Sequence, residues 1–144
     1  MTDRYLLQYV EFFENMTLGS LGDLSAVMTD DVQFSDPFNS VLGLNKTRKI
    51  FADMFDMLES PRFRVTHAAM TESDPGTGLL RWEMEANQKH NNEPLRIVGM
   101  SEIHFAADGR VTRHIDHWDA GQQVYEKLPV IGWLVRKIRK RLEA

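Results

Sequence analysis

The sequence predicts an α+β fold, one curved antiparallel sheet with helices packed on one side. Three observations carry this. Helical apolar periods fill the first sixty residues. Alternating runs separated by turn signals fill residues 62–118. The last two runs, Ile97–Phe105 and Val111–Trp118, flank Asp108-Gly109, a pair that favours a tight hairpin because both residues tolerate positive φ. At 144 residues the chain is expected to form one main domain with a sizeable core.

Residues 3–16 read as a first helix, with Tyr5, Leu6, Tyr9, Val10, Phe12, Phe13 and Met16 recurring at three- and four-residue steps and Gly19 as a stop. So broad an aromatic stripe should cover something large, such as the concave face of a sheet. Residues 20–28 form a second short helix, with Leu21, Leu24, Val27 and Met28 inward and Asp30-Asp31 at its end. A short strand then places Val32, Phe34 and Asp36 on one face. Asp36 precedes Pro37, so it is either a turn residue or an acid placed at a site. Gly43–Glu59 is a third helix, with Ile50, Phe51, Met54, Phe55 and Leu58 on one stripe and Pro61 beyond.

Four strands in hairpin connection follow. Arg62–Thr71 puts Phe63, Val65 and His67 on one face. Leu79–Lys89 puts Leu80, Trp82, Met84 and Ala86 on one face and Arg81, Glu83, Glu85 and Asn87 on the other. Ile97, Gly99, Ser101, Ile103 and Phe105 share a face of the third. In the fourth, His114, Asp116 and Trp118 oppose Val111, Arg113, Ile115 and His117. Parity alone leaves open which of these two sets points inward.

Composition narrows the function classes. There are no cysteines, which excludes disulfides, thiolate zinc sites and cysteine nucleophiles and fits a cytoplasmic location. The acidic, amphipathic start is not a signal peptide, and no run approaches the roughly 20 apolar residues of a membrane span. The net charge of −4 divides into +4 on residues 126–144 and −8 on the rest. An acidic body argues against nucleic-acid binding. The chain therefore divides into a body, residues 1–125, and a basic C-terminal helix, residues 126–144. That helix carries an apolar stripe of Ile131, Leu134, Val135, Ile138 and Leu142, with Arg136, Lys137, Arg139, Lys140 and Arg141 on the remaining faces and Trp133 to the side. It either docks on the body or a dimer mate, or lies on an anionic membrane surface.

The stretch F-F-E-N-M-T-L-G-S-L-G-D-L-S-A-V-M-T-D-D-V-Q-F-S-D-P-F, residues 12–38, resembles the opening of ketosteroid isomerases and SnoaL-like polyketide cyclases. These belong to the nuclear transport factor 2-like superfamily. A Gly-led third helix and the late F-x-x-D-G-R hairpin extend the resemblance over roughly residues 3–120. It implies a cone-shaped sheet with three N-terminal helices on its concave side, a deep apolar pocket for an apolar small molecule, no cofactor, and a homodimer formed through the outer sheet face. It places Asp36 where steroid isomerases keep their base. It also places Phe12 where they keep a tyrosine and Ser101 where they keep a protonated acid. Losing such an oxyanion donor costs on the order of 2.7–4 kcal/mol, so true ketosteroid isomerase activity is not expected. On the same alignment His114, Asp116 and Trp118 face the pocket. Asp116 is the expected acid/base, His114 its partner and Asp36 a second catalytic acid. Phe12, Phe34, His67, Trp82, Ser101 and Trp118 are expected to contact the ligand.

Carboxyl and imidazole groups in an apolar hollow suit proton transfer near neutral pH. Three readings stay open: an isomerase, cyclase, dehydratase or hydrolase; a ligand-binding or regulatory module without turnover; and a buried His–Asp pair that only holds the fold. A metal site is disfavoured, because His117 has the opposite parity to His114 and no H-E-x-x-H motif occurs.

Overall fold

The structure is a computed structural model that describes residues 2–124 and 129–143. Helix α1 (Thr2–Glu14) and a 3-10 helix (Gly19–Ala26) lead into strands β1 (Met28–Ser35) and β2 (Ser40–Leu42). Helix α2 (Leu44–Met57) follows, then β3 (Leu58–Met70), β4 (Gly78–Gln88), β5 (Pro94–Phe105) and β6 (Val111–His117). A single helical turn α3 (Ala120–Gln123) and helix α4 (Pro129–Leu142) end the chain.

The six strands form one curved, unclosed sheet in the order β2-β1-β6-β5-β4-β3. Every neighbouring pair is antiparallel except β1 and β6, which run parallel. The expected antiparallel sheet is therefore mixed at one seam. A parallel pair needs a long crossover, and here the chain supplies it with everything from β2 to β5.

Several boundaries differ from the sequence expectation by a few residues, and β2 was not expected; two of the differences have a clear cause. The second helix stops at Ala26, and Met28 to Asp31 belong to β1. Pairing decides this: Val111 N donates to Val27 O at 2.7 Å and Met28 lies opposite Val111. The third helix stops at Met57, and Leu58 and Glu59 pair with Gln88 and Asn87 of β4. In both places cross-strand partners override local helical pattern.

The faces of β4 and β5 follow their alternation. Leu80, Trp82 and Met84 are buried together with Ile97, Ser101 and Ile103. Against them α1 packs Leu6, Tyr9 and Phe13, and α2 packs Phe51. On β6 the alternation breaks. His104 pairs with Arg113 and Phe105 with Val111, so Thr112 is an extra residue, a β-bulge. The bulge lets Val111 and His114 both face the core although their parities differ.

The β5–β6 connection is wider than the expected two-residue turn. Gly109 N donates to Ala106 O at 3.0 Å, and of the Asp108-Gly109 pair only Gly109 has positive φ, at 89°. Asp108 instead accepts from Arg110 N at 3.0 Å. A Cβ on Gly109 would also overlap the Tyr5 ring, so this glycine sets both the turn and the seat of α1.

The junction between the expected body and the basic tail, with Glu126 and Lys127, lies outside the described residues, as do the side chains of Ile131 and Val135 in the predicted stripe.

Candidate active site

The site starts from one buried histidine on β6. His114 lies among the rings of Phe34, Phe13 and Tyr9, at centroid distances of 5.0, 5.5 and 5.7 Å. A buried imidazole needs a partner on each nitrogen, and it has both. Nδ1 meets the Tyr9 hydroxyl at 2.7 Å, and Nε2 meets Asp116 Oδ1 at 2.6 Å. Ser101, opposite Asp116 on β5, donates its hydroxyl to the same Oδ1. Trp82 Nε1 on β4 donates to Ser101 Oγ at 2.8 Å.

The donor inventory orients the whole chain. A carboxylate only accepts, so Asp116 Oδ1 takes Nε2–H from His114 and O–H from Ser101. Nδ1 is then bare and accepts from the Tyr9 hydroxyl. Ser101, having given its proton to Asp116, accepts from the indole. Every polar atom of the chain Tyr9–His114–Asp116–Ser101–Trp82 is satisfied except Asp116 Oδ2, which has no hydrogen-bond partner among the described residues.

The backbone makes this reach possible. Trp82 pairs with Gly99 across the β4–β5 ladder, and a Cβ on Gly99 would stand 2.5 Å from the indole. With no side chain beneath it, the indole lies flat and its N–H reaches Ser101, two residues along β5.

The chain borders an apolar hollow lined by Phe13, Phe51, Phe63, Val65, Leu80 and Trp82, with Ser101, His114 and Asp116 as its polar wall. Its volume is about 30 Å³, above the roughly 10–15 Å³ that one ordered water needs. Asp116 also edges an open depression of about 670 Å³, formed with Ser35, Asp36, Pro37, Ile115, His117 and Trp118. Its carboxylate thus stands between the apolar hollow and an open mouth.

Burial, and secondarily the nearby Asp116, push the Tyr9 phenol well above its ordinary value of 10.0. The folded chain therefore holds this proton longer than the unfolded chain does. The associated stability is present below about pH 10 and is lost as pH rises further. Tyr9→Phe should flatten the alkaline fall in stability, read as the urea midpoint between about pH 9 and pH 11. An unchanged alkaline slope would show that the phenol does not contribute.

The structure brings four of the predicted residues, Trp82, Ser101, His114 and Asp116, around the hollow. Phe34 is buried beneath the His114 ring without lining the hollow. Phe13 lines the hollow in place of Phe12, whose ring packs on Phe13 at 5.8 Å. His67 is exposed and bonds to Thr66 at 3.0 Å. A register shift between Val65 and His67 turns its side chain away from the face of Phe63 and Val65. Trp118 stands at the mouth, edge-on to Phe38 at 5.4 Å. Asp36 also stands at the mouth, but its carboxylate closes its own turn, accepting from Phe38 N at 2.8 Å and Asn39 N at 2.7 Å. Of its two sequence readings, the hydrogen bonds match the turn.

Sequence reasoning missed Tyr9. Its signal was a polar tip inside an otherwise apolar helical stripe, since a buried tyrosine hydroxyl needs a partner. Among the described residues no three metal-ligating side chains are grouped. His117 bonds instead to Glu102 at 2.8 Å on the outer face.

Helices laid across a curved, unclosed sheet, with a polar wall inside, are the architecture of the NTF2-like proteins. An NTF2-like protein of unknown function from Exiguobacterium sp. 255-15 superposes with a TM-score of 0.68 at 14% identity, covering 83% of this chain and 98% of that one. A Catenulispora acidiphila protein with a ketosteroid isomerase-like fold, in complex with trimethylamine, gives 0.70 at 14% identity, covering 90% and 96%. An LEH-like epoxide hydrolase from M. tuberculosis gives 0.64 at 14% identity, covering 85% of each chain. The chain itself belongs to the SnoaL-like domain family, whose model matches residues 9–114. No curated protein sequence matches it.

Proposed function

We propose that the protein is a small-molecule enzyme in which Asp116 acts as a general acid/base on an apolar substrate held over the hollow. The observation that carries this is the oriented chain from Tyr9 through His114 to Asp116, which holds Oδ1 with two donors and leaves Oδ2 without a hydrogen-bond partner among the described residues. Oδ2 takes a proton from a carbon acid or from a water and later returns it. His114 and Ser101 are positioning residues that stabilise the carboxylate and aim it. Tyr9 fixes the imidazole tautomer that donates to Asp116, a role that oriented imidazoles need in any acid/base site.

Ketosteroid isomerase chemistry remains excluded from this reading. The Tyr9 hydroxyl is engaged by His114 and the Ser101 hydroxyl by Asp116, so neither is offered to an enolate oxygen. Asp36 is not assigned a proton-transfer role, since its carboxylate accepts from its own turn. The epoxide hydrolase among the fold relatives makes epoxide opening one reaction to try first.

The test is Asp116→Asn against a panel of apolar epoxides and ketones bearing acidic α-hydrogens. Turnover by the wild type should fall about 10²–10⁴-fold in the variant, the usual worth of a general base. Compounds that raise the Tm of the wild type should still raise that of the variant. A second reading is a ligand-binding module without turnover, which the apolar lining of the hollow supports as well. It stands if some compound stabilises the wild type and none is converted.

A further inference from the structure

We infer that helix α4 is a docking element for an anionic lipid surface, on which it lies parallel to the plane. The helix runs from Pro129 to Leu142, about 21 Å at 1.5 Å per residue. Leu134, Ile138 and Leu142 recur every four residues along it, and they are 50%, 52% and 80% exposed. Among the described side chains of α4 these three form an apolar line that is half or more open.

Charge selects the occupant. Five of the six residues from 136 to 141 are Lys or Arg, interrupted only by Ile138. At 100° per residue Lys137 and Arg141 fall on one side of the apolar line. Long basic side chains flanking a narrow apolar line can lay their stems along it and raise their charged ends toward lipid headgroups. A second copy of this chain is a poorer match. On its outer sheet face Glu83, Glu85 and Glu102 are already held by Arg64, Arg96 and His117, so that face offers a basic helix little unpaired negative charge. No helix among the described residues is long and apolar enough to cross a membrane, so α4 would lie on the bilayer rather than span it. Trp133, with Lys137 over its ring at 4.9 Å, projects from the basic side and would stay on the water side of the bound helix.

This inference is independent of the Asp116 chemistry. The full chain is mixed with vesicles of phosphatidylcholine alone or with about one-third phosphatidylglycerol, and bound protein is measured by sedimentation over a salt series. Binding to the anionic vesicles should be at least tenfold tighter than to the neutral ones and should weaken as salt screens the surface. Ile138→Asp and the double variant Lys140→Glu/Arg141→Glu should each lose tenfold or more. Both sets of positions are exposed, so unchanged circular dichroism and an unchanged melting temperature show that the body is intact. Equal binding to the two vesicle types, or no sedimentation with either, overturns the inference. So does a wild-type dimer that Ile138→Asp converts to monomer without affecting vesicle binding, since the apolar line would then be an interface between copies.

Discussion

His114→Ala is expected to lower the unfolding free energy by about 3–5 kcal/mol, read from urea denaturation. Two losses combine. The imidazole fills space among Tyr9, Phe13 and Phe34, and its removal leaves a void in a packed interior. Among the described residues it is also the only hydrogen-bond partner of the Tyr9 hydroxyl, which is left buried and unpaired. Tyr9→Phe alone should cost about 1–3 kcal/mol. The double variant Tyr9→Phe/His114→Ala should cost clearly less than the two single losses together, because the orphaned hydroxyl is gone. Additivity within about 0.5 kcal/mol would mean that the phenol and imidazole are not coupled, and the proposed role of Tyr9 would fall with it.

Gly99→Ala should destabilise by about 1–3 kcal/mol, the usual cost of one extra carbon in a filled core. Its new Cβ would lie 2.5 Å from the Trp82 indole, which must tilt away. Tilting breaks the Trp82–Ser101 hydrogen bond and frees Ser101 from one of its two partners. The expected signature is a changed near-ultraviolet circular dichroism spectrum together with the loss of stability. Trp82→Phe in the Gly99→Ala background should recover part of that stability, because the smaller ring clears the methyl. If Gly99→Ala melts like the wild type with an unchanged spectrum, the flat seating of the indole is not what Gly99 provides.

Local pattern sufficed for much of the frame. Alternation in Ile97–Phe105 placed Ile97, Gly99, Ser101 and Ile103 on one face, and the structure buries all four. The period of α1 marked Leu6, Tyr9, Phe13 and Met16, all buried. Such patterns work because a residue's side in a regular strand or helix depends only on its spacing from its neighbours. Counting fails where the backbone gains a residue. The bulge at Thr112 and the shift before His67 each reverse the count, so His67 turns outward while His114 joins Val111 inside. Asp36 shows another limit. Its alternation with Val32 and Phe34 ends at Ser35, where the strand stops and the chain turns.

Composition and periodicity were enough to establish most of the order of helices and strands, with β2 and α3 the exceptions, the basic end and the presence of His114, Asp116 and Ser101 on facing strands. The fold alone settled that Tyr9 is the partner of His114, a contact across 105 positions. It alone settled that β1 runs beside β6, and that Asp116 borders the apolar hollow. Spacing along a chain governs which side of an element a residue takes. Which two elements meet, and how much room lies between them, depends on the sum of packing over the whole core, and no single segment contains that sum.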